Sequence, residues 1–550
     1  MSADKIAAEV RAITGHGADV DVLVVGGGIN GAGIARDLAG RRLKVMLVEA
    51  DDLASHTSSS STKLIHGGLR YLESYEFGLV RKALREREVL MRSAPHIMRP
   101  LRFVLPHDDT MRPGWMIRAG LFLYDNLARR ELLPASNHID LRTHVAGAPL
   151  KPRFASGFVY SDGWVDDSRL VVLNAVDAAE RGATVLTRTR CVSALRGEDH
   201  WNVTLRDTGG NLQTVKARAV VNAAGPWAAS FLRDAVRFAS GEPRPSRQLR
   251  LVKGSHIVVR RLFQHDYAYI FQATDSRVLF AIPYEREFTL IGTTDVEVHG
   301  EPSNVSATPE EITYLCREVS RYFNAEVVPS DVVWQYAGVR PLLDDDQAEA
   351  RTISRDYLLD TRSDGPPLLT VWGGKITTFR RLAEEAADSI CQMLGEVRAS
   401  WTASAKLPGG DFGPEATGRP DRDFEAFLQA TQRRFPWIAP PVMLRLTRAY
   451  GSRIGRVLLN AHAEADLGEE IVPGLFEAEL HYLISYEWAQ DAHDVLWRRS
   501  RIGLHCSEAE RERVAQWFSR RASLGASQRV RARTPFESAL AGNGGADPPR

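Results

Sequence analysis

The sequence predicts a protein of the α/β class: a core of mainly parallel strands, an inserted lobe built on an antiparallel sheet, and an all-helical domain at the carboxyl end. Three observations predict this arrangement. A strand, a glycine-rich turn, a helix and a second strand follow one another in residues 21–50. Alternating apolar and polar residues, typical of half-buried strands, recur between about 241 and 343. Apolar residues at three- and four-residue spacing, typical of amphipathic helices, follow about residue 398.

The first strand, turn and helix have the pattern of a dinucleotide-binding unit. The glycines of a GxGxxG motif are Gly26, Gly28 and Gly31. Glycine at these positions lets the backbone turn sharply, approach a pyrophosphate and pack the helix closely on the sheet. Glu49 ends the second strand, where a carboxylate accepts both hydroxyls of an adenosine ribose and repels a ribose phosphate. The unit therefore predicts a Rossmann-like domain that binds FAD or NAD, but not NADP.

Two further glycine turns follow predicted strands, at 222–225 and 373–374. A nicotinamide cofactor rarely needs three such turns, whereas FAD uses one for its pyrophosphate and others along its buried length. The hydroxyl-rich run 57–63 and the segment 66–71 suit backbone that lies against a flat ring. The helix after 373–374 would direct its positive end at the flavin pyrimidine ring, where charge grows on reduction. We therefore predict tightly bound FAD, held by Gly26, Gly28, Gly31, Glu49, Thr57, Ser58, Ser59, Thr62, Lys63, His66, Gly67, Gly68, Val192, Ala224, Gly225, Gly374, Lys375 and Thr377.

The same patterns predict the domain boundaries. An extension covers 1–20, and an FAD-binding domain covers 21–397, with a substrate-binding lobe inserted at about 95–162 and 241–343. A helical domain covers 398–520. The tail 521–550 is rich in Gly, Pro, Ala and Arg without apolar periodicity, so disorder is predicted there.

Composition narrows the functional classes. The 550 residues include 70 Lys plus Arg against 69 Asp plus Glu, a balance that argues against whole-protein attraction to nucleic acid. Four scattered cysteines without a CxxC pair suggest neither a zinc site nor a disulfide framework, and they fit a reducing, cytoplasmic setting. No signal peptide and no membrane-spanning helix are predicted, since no apolar run reaches about 18 residues. Segment 115–127 is either a peripheral membrane contact or a helix packed on the core.

Several motifs together resemble one family. GGGINGAGIARDLAGR, TSSSSTKLIHGGLRYLE, KGSHIVV, IGTTD, GVRPL and VWGGKITTFR are similar to motifs of the FAD-dependent, quinone-linked glycerol-3-phosphate dehydrogenases of aerobic bacteria and mitochondria. The segment EAELHYLISYEWAQDAHDVLWRRSRIGL resembles the carboxy-terminal signature of that family. The resemblance spans about 21–518 and departs at Phe379, where a tyrosine is more usual.

The resemblance implies oxidation of sn-glycerol 3-phosphate to dihydroxyacetone phosphate, with hydride passing from C2 of the substrate to flavin N5. It also implies that ubiquinone or menaquinone takes the electrons, at a peripheral position on the inner face of the cell membrane. A glycerol-3-phosphate oxidase, which uses oxygen and releases hydrogen peroxide, is the alternative. A flavin-bound scaffold and an amine or amino-acid oxidase are more distant alternatives. The sequence leaves open whether the protein is a homodimer.

The implied chemistry assigns candidate roles to side chains. A phosphate dianion needs fixed cations, and guanidinium suits it because its planar donors bind two oxygens. The substrate-binding candidates are Arg70, Tyr71, Arg340, Arg355 and Thr377, with Lys375 alongside. His256 is the first choice of base for the C2 hydroxyl proton, Lys375 is the competing base, and His66 would orient flavin or substrate. A metal is not expected. Basic residues of the helical domain that could meet anionic lipid are Arg498, Arg499, Arg501, Arg520 and Arg521.

Overall fold

The computed structural model describes residues 19–109, 111–238, 247–303, 305–343, 356–414, 416–459 and 461–523. The strands in these residues are β1 (Asp19–Val25), β2 (Val45–Val48), β3 (Leu64–Ile65), β4 (Met98–His107), β5 (Asn137–Asp140), β6 (Ser156–Val165), β7 (Thr184–Leu186), β8 (Thr189–Arg196), β9 (Trp201–Asp207), β10 (Leu212–Asn222), β11 (Val236–Arg237), β12 (Leu249–Arg260), β13 (Ala268–Gln272), β14 (Val278–Tyr284), β15 (Phe288–Gly292), β16 (Val296–Glu297), β17 (Val332–Leu343), β18 (Leu358–Arg362), β19 (Leu368–Trp372), β20 (Glu470–Val472) and β21 (Leu475–Phe476).

The α-helices of the same residues are α1 (Ile29–Gly40), α2 (Phe77–Ser93), α3 (Gly114–Asn126), α4 (Asp167–Glu180), α5 (Ala228–Asp234), α6 (Pro309–Ser320), α7 (Phe379–Met393), α8 (Pro420–Arg434), α9 (Pro440–Tyr450), α10 (Ile454–Leu458), α11 (Glu477–Glu487) and α12 (Glu508–Ser523). None of these helices is long and apolar enough to cross a membrane.

A mixed sheet of nine described strands forms the core of the first domain. Strand β10 lies between β1 and β19 and runs parallel to both, with Asn222 paired to Val25 on one side and to Thr370 on the other. Strands β1, β2 and β19 are almost wholly apolar because helices cover both faces of such a sheet. The three predicted glycine turns follow β1, β10 and β19, so they meet at one edge of the sheet.

Helix α1 packs between α4 and α7 on one face of this sheet. Gly33 of α1 leaves room for Phe379, because a methyl group there would lie 2.9 Å from the Phe379 ring. Phe379 begins α7 and is 1% exposed. The residue that departs from the family pattern therefore serves in the packing of α1 against α7.

Ten further strands form a second sheet, in the order β16, β12, β15, β14, β13, β4, β6 and β3, with β17 beside β12 and β5 beside β6. Its pairs are antiparallel except that β13 runs parallel to β4. Strands β4 to β6 and β12 to β17 come from the two segments in which the sequence predicts the inserted lobe. His256 of β12 is paired with Tyr336 of β17 and with Gly292 of β15. The predicted α/β class with an antiparallel lobe is confirmed.

The carboxyl-terminal domain is built from α8 to α12, with a short hairpin of β20 and β21. Its last helix ends at Ser523, three residues beyond the predicted limit. Two parts of the prediction, the extension 1–18 and the tail from 524, lie outside the described residues.

Three of the five arginines that were candidates for contact with anionic lipid are buried instead. Arg498 and Arg499 pair with Asp52 of the first domain, each at 2.6 Å. Arg501 pairs with Asp166 and Asp167. The prediction that these three side chains contact lipid is therefore wrong, because they join the helical domain to the core. Arg520 is exposed and lies 3.8 Å from Glu469, and Arg521 lies against the Trp517 ring.

Candidate active site

A cavity of about 1030 Å³ opens at the carboxyl edge of the parallel strands, and all three glycine turns line it. This is the edge at which open α/β sheets bind their ligands. The volume lies at the upper end of the range for small-molecule sites. It runs from Glu49 and Val192 at one end to Tyr71, Arg340 and Lys375 at the other. We call these the nucleotide end and the polar end.

The nucleotide end is made mainly of backbone. Gly26 has a φ of +110°, and a methyl group on it would lie 2.5 Å from the Ala223 carbonyl oxygen. A methyl group on Gly31 would lie 1.9 Å from the Gly26 carbonyl oxygen. Helix α1 begins at Ile29, with Gly28 at its N-cap position. The chain therefore brings the positive end of a helix to the cavity wall, where the Ser58 hydroxyl accepts a hydrogen bond from the Ile29 backbone N–H at 3.0 Å.

Glu49 is held beside this turn. Its carboxylate accepts hydrogen bonds from the backbone N–H of Gly27 at 2.6 Å and of Asp51 at 2.8 Å. Burial raises the pKa of Glu49, and these two N–H groups oppose the shift. The carboxylate is thereby fixed at the position that a ribose diol requires.

The residues present fit FAD. The glycines leave space that any Cβ would fill, α1 offers a site for a pyrophosphate, and Glu49 offers one for a ribose. Beyond them, Ser60, Ser61 and Thr62 of the hydroxyl-rich run continue the wall toward Lys375. A long dinucleotide can therefore lie between the two ends of the cavity.

The polar end is made of side chains from both sheets. The Lys375 ammonium lies 4.0 Å from the centre of the Tyr71 ring. Arg340 of β17 pairs with Asp295 and donates to Thr293 Oγ1 at 3.1 Å. A methyl group on Gly254 would lie 2.5 Å from Arg340 Nη2, so glycine on β12 makes room for the guanidinium. Two cations, a phenol and a hydroxyl thus line one cavity, which is suited to an anionic ligand.

His256 lies behind the wall of the polar end rather than in it. Its ring is 1% exposed, stacks on Tyr336 at 4.8 Å, and shares a hydrogen bond of 2.9 Å between Nε2 and Thr62 Oγ1. Thr62 lines the cavity. Burial lowers the pKa of His256 well below its ordinary value, and the charges of Arg340 and Lys63 lower it further. The imidazole is therefore neutral, and it reaches the cavity through the Thr62 hydroxyl.

The structure brings most of the predicted site residues to the cavity. Those that line it are Gly26, Gly28, Glu49, Thr57, Ser58, Thr62, His66, Tyr71, Val192, Ala224, Gly225, Arg340, Gly374, Lys375 and Thr377. Thr377 accepts a hydrogen bond from the His66 backbone N–H at 3.3 Å. Neither Thr377 nor Thr378 caps α7 with its side chain, since Thr378 occupies the N-cap position without a side-chain bond.

Other predicted residues lie elsewhere. Gly31 faces the Gly26 carbonyl, and the Gly67 backbone N–H donates to Tyr124 Oη at 2.9 Å. Lys63 is buried, with its ammonium 2.7 Å from Asp167 Oδ2, and Arg70 is exposed on the short helix Leu69–Leu72. The wall as described does not include these four, nor Ser59, Gly68 or His256. Arg355 lies outside the described residues.

Sequence reasoning missed several residues of the wall. They are Asn30, Ser61, Arg190, Trp227, Gly254, Phe280, Thr293 and Gly338. Thr293 and Gly254 belong to the motifs IGTTD and KGSHIVV, so position in a motif could have found them. Gly338 likewise belongs to the motif GVRPL. Phe280 faces the cavity only because the second sheet folds over the first, and no local pattern indicates that.

A dinucleotide cradle that runs into a polar, cation-lined end defines a flavin-dependent oxidoreductase. Residues 21–380 match the family described as FAD dependent oxidoreductase, and residues 400–528 match the C-terminal domain of alpha-glycerophosphate oxidase. A glycerol-3-phosphate dehydrogenase of Pseudomonas aeruginosa is 50% identical over 500 residues, which cover 90% of this chain and 94% of that protein. The chain belongs to the glycerol-3-phosphate dehydrogenase family of FAD-dependent oxidoreductases, and the predicted FAD cofactor is confirmed.

Two further comparisons bear on fold and substrate. A D-erythritol 1-phosphate dehydrogenase of Brucella abortus is 47% identical over 500 residues, covering 90% of this chain and 97% of that protein. The crystal structure of a glycerol-3-phosphate dehydrogenase from Bacillus halodurans, complexed with FAD, matches with a TM-score of 0.74 and 27% identity. That match covers 98% of this chain and 97% of the other.

Proposed function

We propose that the protein oxidises sn-glycerol 3-phosphate to dihydroxyacetone phosphate and passes the electrons to a membrane quinone, ubiquinone or menaquinone. The observation that carries this proposal is the pair of cations, Arg340 and Lys375, at the polar end of an FAD-sized cavity. A guanidinium and an ammonium in one wall suit a phosphate dianion. The relatives named as glycerol-3-phosphate dehydrogenases support the choice of alcohol.

Arg340 is suited to grip the phosphate because its orientation is fixed. Asp295 and Thr293 Oγ1 hold the guanidinium from one side, and Gly254 lets it lie close to β12. The Lys375 ammonium lies over the Tyr71 ring, and this cation–π contact stabilises its position. Tyr71 and Thr377, which line the cavity, remain proposed substrate contacts, as do Arg70 and Arg355 on the resemblance alone.

His256 and Thr62 are proposed to take the proton of the C2 hydroxyl. Bound FAD supplies the acceptor for the hydrogen that leaves C2 with two electrons. As that hydrogen leaves, the hydroxyl proton passes to Thr62 Oγ1, and the Thr62 proton passes to His256 Nε2. The relay requires a neutral imidazole, which the burial of His256 provides. Lys375 as the base is the competing assignment.

The test is anaerobic mixing of the purified holoprotein with glycerol 3-phosphate, monitored by the visible flavin absorbance. We expect rapid bleaching. D-erythritol 1-phosphate is mixed in parallel, because a relative at 47% identity carries that name. Faster bleaching by the tetritol phosphate would assign the protein to that substrate, and no bleaching by either would overturn the proposal.

The acceptor is tested separately by steady-state turnover with a soluble quinone analogue and by assay of hydrogen peroxide in air. Turnover with the quinone and little peroxide is expected. Peroxide as the main product would favour the oxidase instead.

We propose that the attachment to the membrane is peripheral and uses α3. Trp115 and Phe122 of α3 are 71% and 67% exposed, and Met116 and Leu123 are also exposed. Exposed aromatic side chains on one helix are typical of interfacial contact. Arg112, just before α3, pairs with Glu73 at 2.9 Å, two residues after the cavity residue Tyr71. A lipid surface at α3 would therefore lie close to the polar end.

Flotation with vesicles that contain anionic lipid tests this surface. The double substitution Trp115→Ser and Phe122→Ser should reduce the bound fraction severalfold. Val397→Ser is the control, since Val397 is an apolar residue outside α3 that is even more exposed, at 99%. Equal binding by the double variant and the control would remove α3 from the contact.

A further inference from the structure

A chain of three buried charges joins the helical domain to the cavity wall. Arg501 bonds through Nη2 to Asp167 Oδ1, and Asp167 Oδ2 accepts a hydrogen bond of 2.7 Å from Lys63 Nζ. Lys63 and Asp167 are 0% exposed and Arg501 is 2% exposed. Lys63 ends the hydroxyl-rich run 57–63, which we call the FAD loop. A residue of the helical domain is therefore two contacts from this loop.

Asp167 holds the FAD loop at several points. The same Oδ2 atom accepts from the Ser61 backbone N–H at 3.2 Å and from Ser61 Oγ at 2.7 Å. Ser61 Oγ accepts from the Lys63 backbone N–H at 3.0 Å. Since Ser61 and Thr62 line the cavity, the position of Asp167 determines the position of that wall.

A second link leads from the same loop to His256. Tyr336 donates through its hydroxyl to the Ser61 carbonyl at 2.8 Å, and its ring centre lies 4.6 Å from Lys63 Nζ. The ring stacks on His256, which in turn shares a hydrogen bond with Thr62. A displacement of the FAD loop would therefore move both Tyr336, which stacks on His256, and Thr62, which shares a hydrogen bond with it.

The backbone at both ends of the chain of charges is strained. Lys63 has a φ of +63° and Arg501 a φ of +56°, in the left-handed region that residues with a Cβ rarely adopt. Such conformations persist only where the surroundings fix them. A strained loop that is held by buried charges loses its geometry when one of those charges is removed.

We propose that Arg501 is a positioning residue for the FAD loop: through Asp167 it fixes Ser61 and Thr62 in the cavity wall, so that the helical domain sets the affinity for FAD. A buried ion pair adds little net stability over apolar residues of the same size. Its retention here is explained by the geometry that it imposes on the loop. The inference concerns the cofactor and does not depend on which phosphorylated alcohol is oxidised.

The test measures FAD binding to apoprotein by the quenching of flavin fluorescence. Arg501→Lys keeps the charge but loses the planar fork that reaches Asp166, Asp167 and Tyr284 together. Ser61→Ala removes one of the three hydrogen bonds that join the loop to Asp167. We expect the Kd for FAD to rise on the order of tenfold in Arg501→Lys, and severalfold in Ser61→Ala. The Kd of the double variant for FAD should be about that of the weaker-binding single variant. The two losses should not add, because both substitutions act on the same link between Arg501 and the FAD loop.

Arg169→Met is the matched control for loss of an ion pair between the two domains. Arg169 is buried, donates to Glu487 of α11 at 2.9 Å and makes no described contact with the FAD loop. The Arg169→Met substitution should lower the melting temperature but change the Kd for FAD by less than about twofold from the wild-type value. Near-UV circular dichroism of each apoprotein shows that the variants are folded.

Three results would overturn the proposal, and the first two concern the single variants. One is wild-type affinity for FAD in both Arg501→Lys and Ser61→Ala. The other is a loss of affinity in Arg169→Met as large as in Arg501→Lys, which would mean that FAD binding follows overall stability. Additive losses in the double variant would likewise show that Arg501 does not act through the loop.

Discussion

The two ends of the cavity differ in what lines them: mainly backbone at the nucleotide end and side chains at the polar end. At the nucleotide end the wall is mainly backbone: Gly26 packs against a main-chain carbonyl oxygen, Gly31 packs against Gly26 from behind the wall, and main-chain N–H groups bind Glu49. At the polar end the wall is side chains, with Arg340, Lys375 and Thr293 brought from separate strands and turns. A substitution that adds an atom at the nucleotide end should therefore disrupt that end. At the polar end, a substitution that alters side-chain shape should matter less than one that removes a charge.

The largest expected effect is at the nucleotide end. Gly31→Ala places a methyl group 1.9 Å from the Gly26 carbonyl oxygen, and backbone cannot yield as a flexible side chain can. The cost is at least about 3 kcal/mol, so the protein should purify without FAD and without activity. The ratio of flavin to protein absorbance measures this loss.

Gly78→Ala in the first turn of α2 is the control for that substitution. A methyl group at Gly78 meets no atom within 4 Å, and alanine favours a helix over glycine by roughly 0.5 to 1 kcal/mol. This variant should keep its FAD and melt slightly higher. Full flavin content in Gly31→Ala would contradict the view that the nucleotide end is rigid.

The second effect separates charge from shape at the polar end. Arg340→Met keeps much of the side-chain volume and removes the guanidinium, so kcat/KM for glycerol 3-phosphate should fall about 1000-fold, or roughly 4 kcal/mol. FAD should stay bound. Arg250→Met is the control, because Arg250 of the neighbouring strand β12 pairs with Glu297 at 2.8 Å and does not line the described cavity. Equal activity in the two variants would mean that the phosphate binds elsewhere.

The third effect is smaller and concerns pH. The pKa of His256 is lowered well below 6.5, first by burial, so the imidazole is already in its basic form at and above that pH. The pH profile of kcat should therefore lack an acidic limb near 6.5 and decline only at lower pH. His256→Gln should reduce kcat about 100-fold. A lysine base must first lose a proton, so a rate that rises toward alkaline pH in both proteins would favour Lys375.

The contrast between the ends also explains how far sequence reasoning reached. Glu49 and the three glycines lie within one strand–helix–strand unit, so their spacing alone predicted the turn and a bound dinucleotide. At the polar end, His256 and Thr62 share a hydrogen bond although 194 positions separate them in the sequence. Arg340 donates a hydrogen bond to Thr293, which is 47 positions away. No spacing rule predicts those contacts, and the residues there were found only through motifs that resemble a family.

The arginines of the helical domain show the same limit. From the sequence, Arg498 and Arg499 were candidates for contact with anionic lipid, yet their partner Asp52 lies 446 and 447 residues away. A buried ion pair and an exposed charge have the same local sequence. Only the docking of the helical domain on the core distinguishes them.

The smallest expected effect is that of a substitution at Trp227. This residue follows the second glycine turn and lines the cavity, and its Nε1 donates to Glu301 at 2.5 Å, which joins the turn to the loop after β16. Trp227→Phe keeps an aromatic ring beside His56 and removes the hydrogen bond, at a cost of roughly 1 kcal/mol. The dissociation rate of FAD should rise about fivefold, and Glu301→Gln should raise it less because the amide still accepts a hydrogen bond. An unchanged rate in Trp227→Phe would mean that backbone alone retains the cofactor.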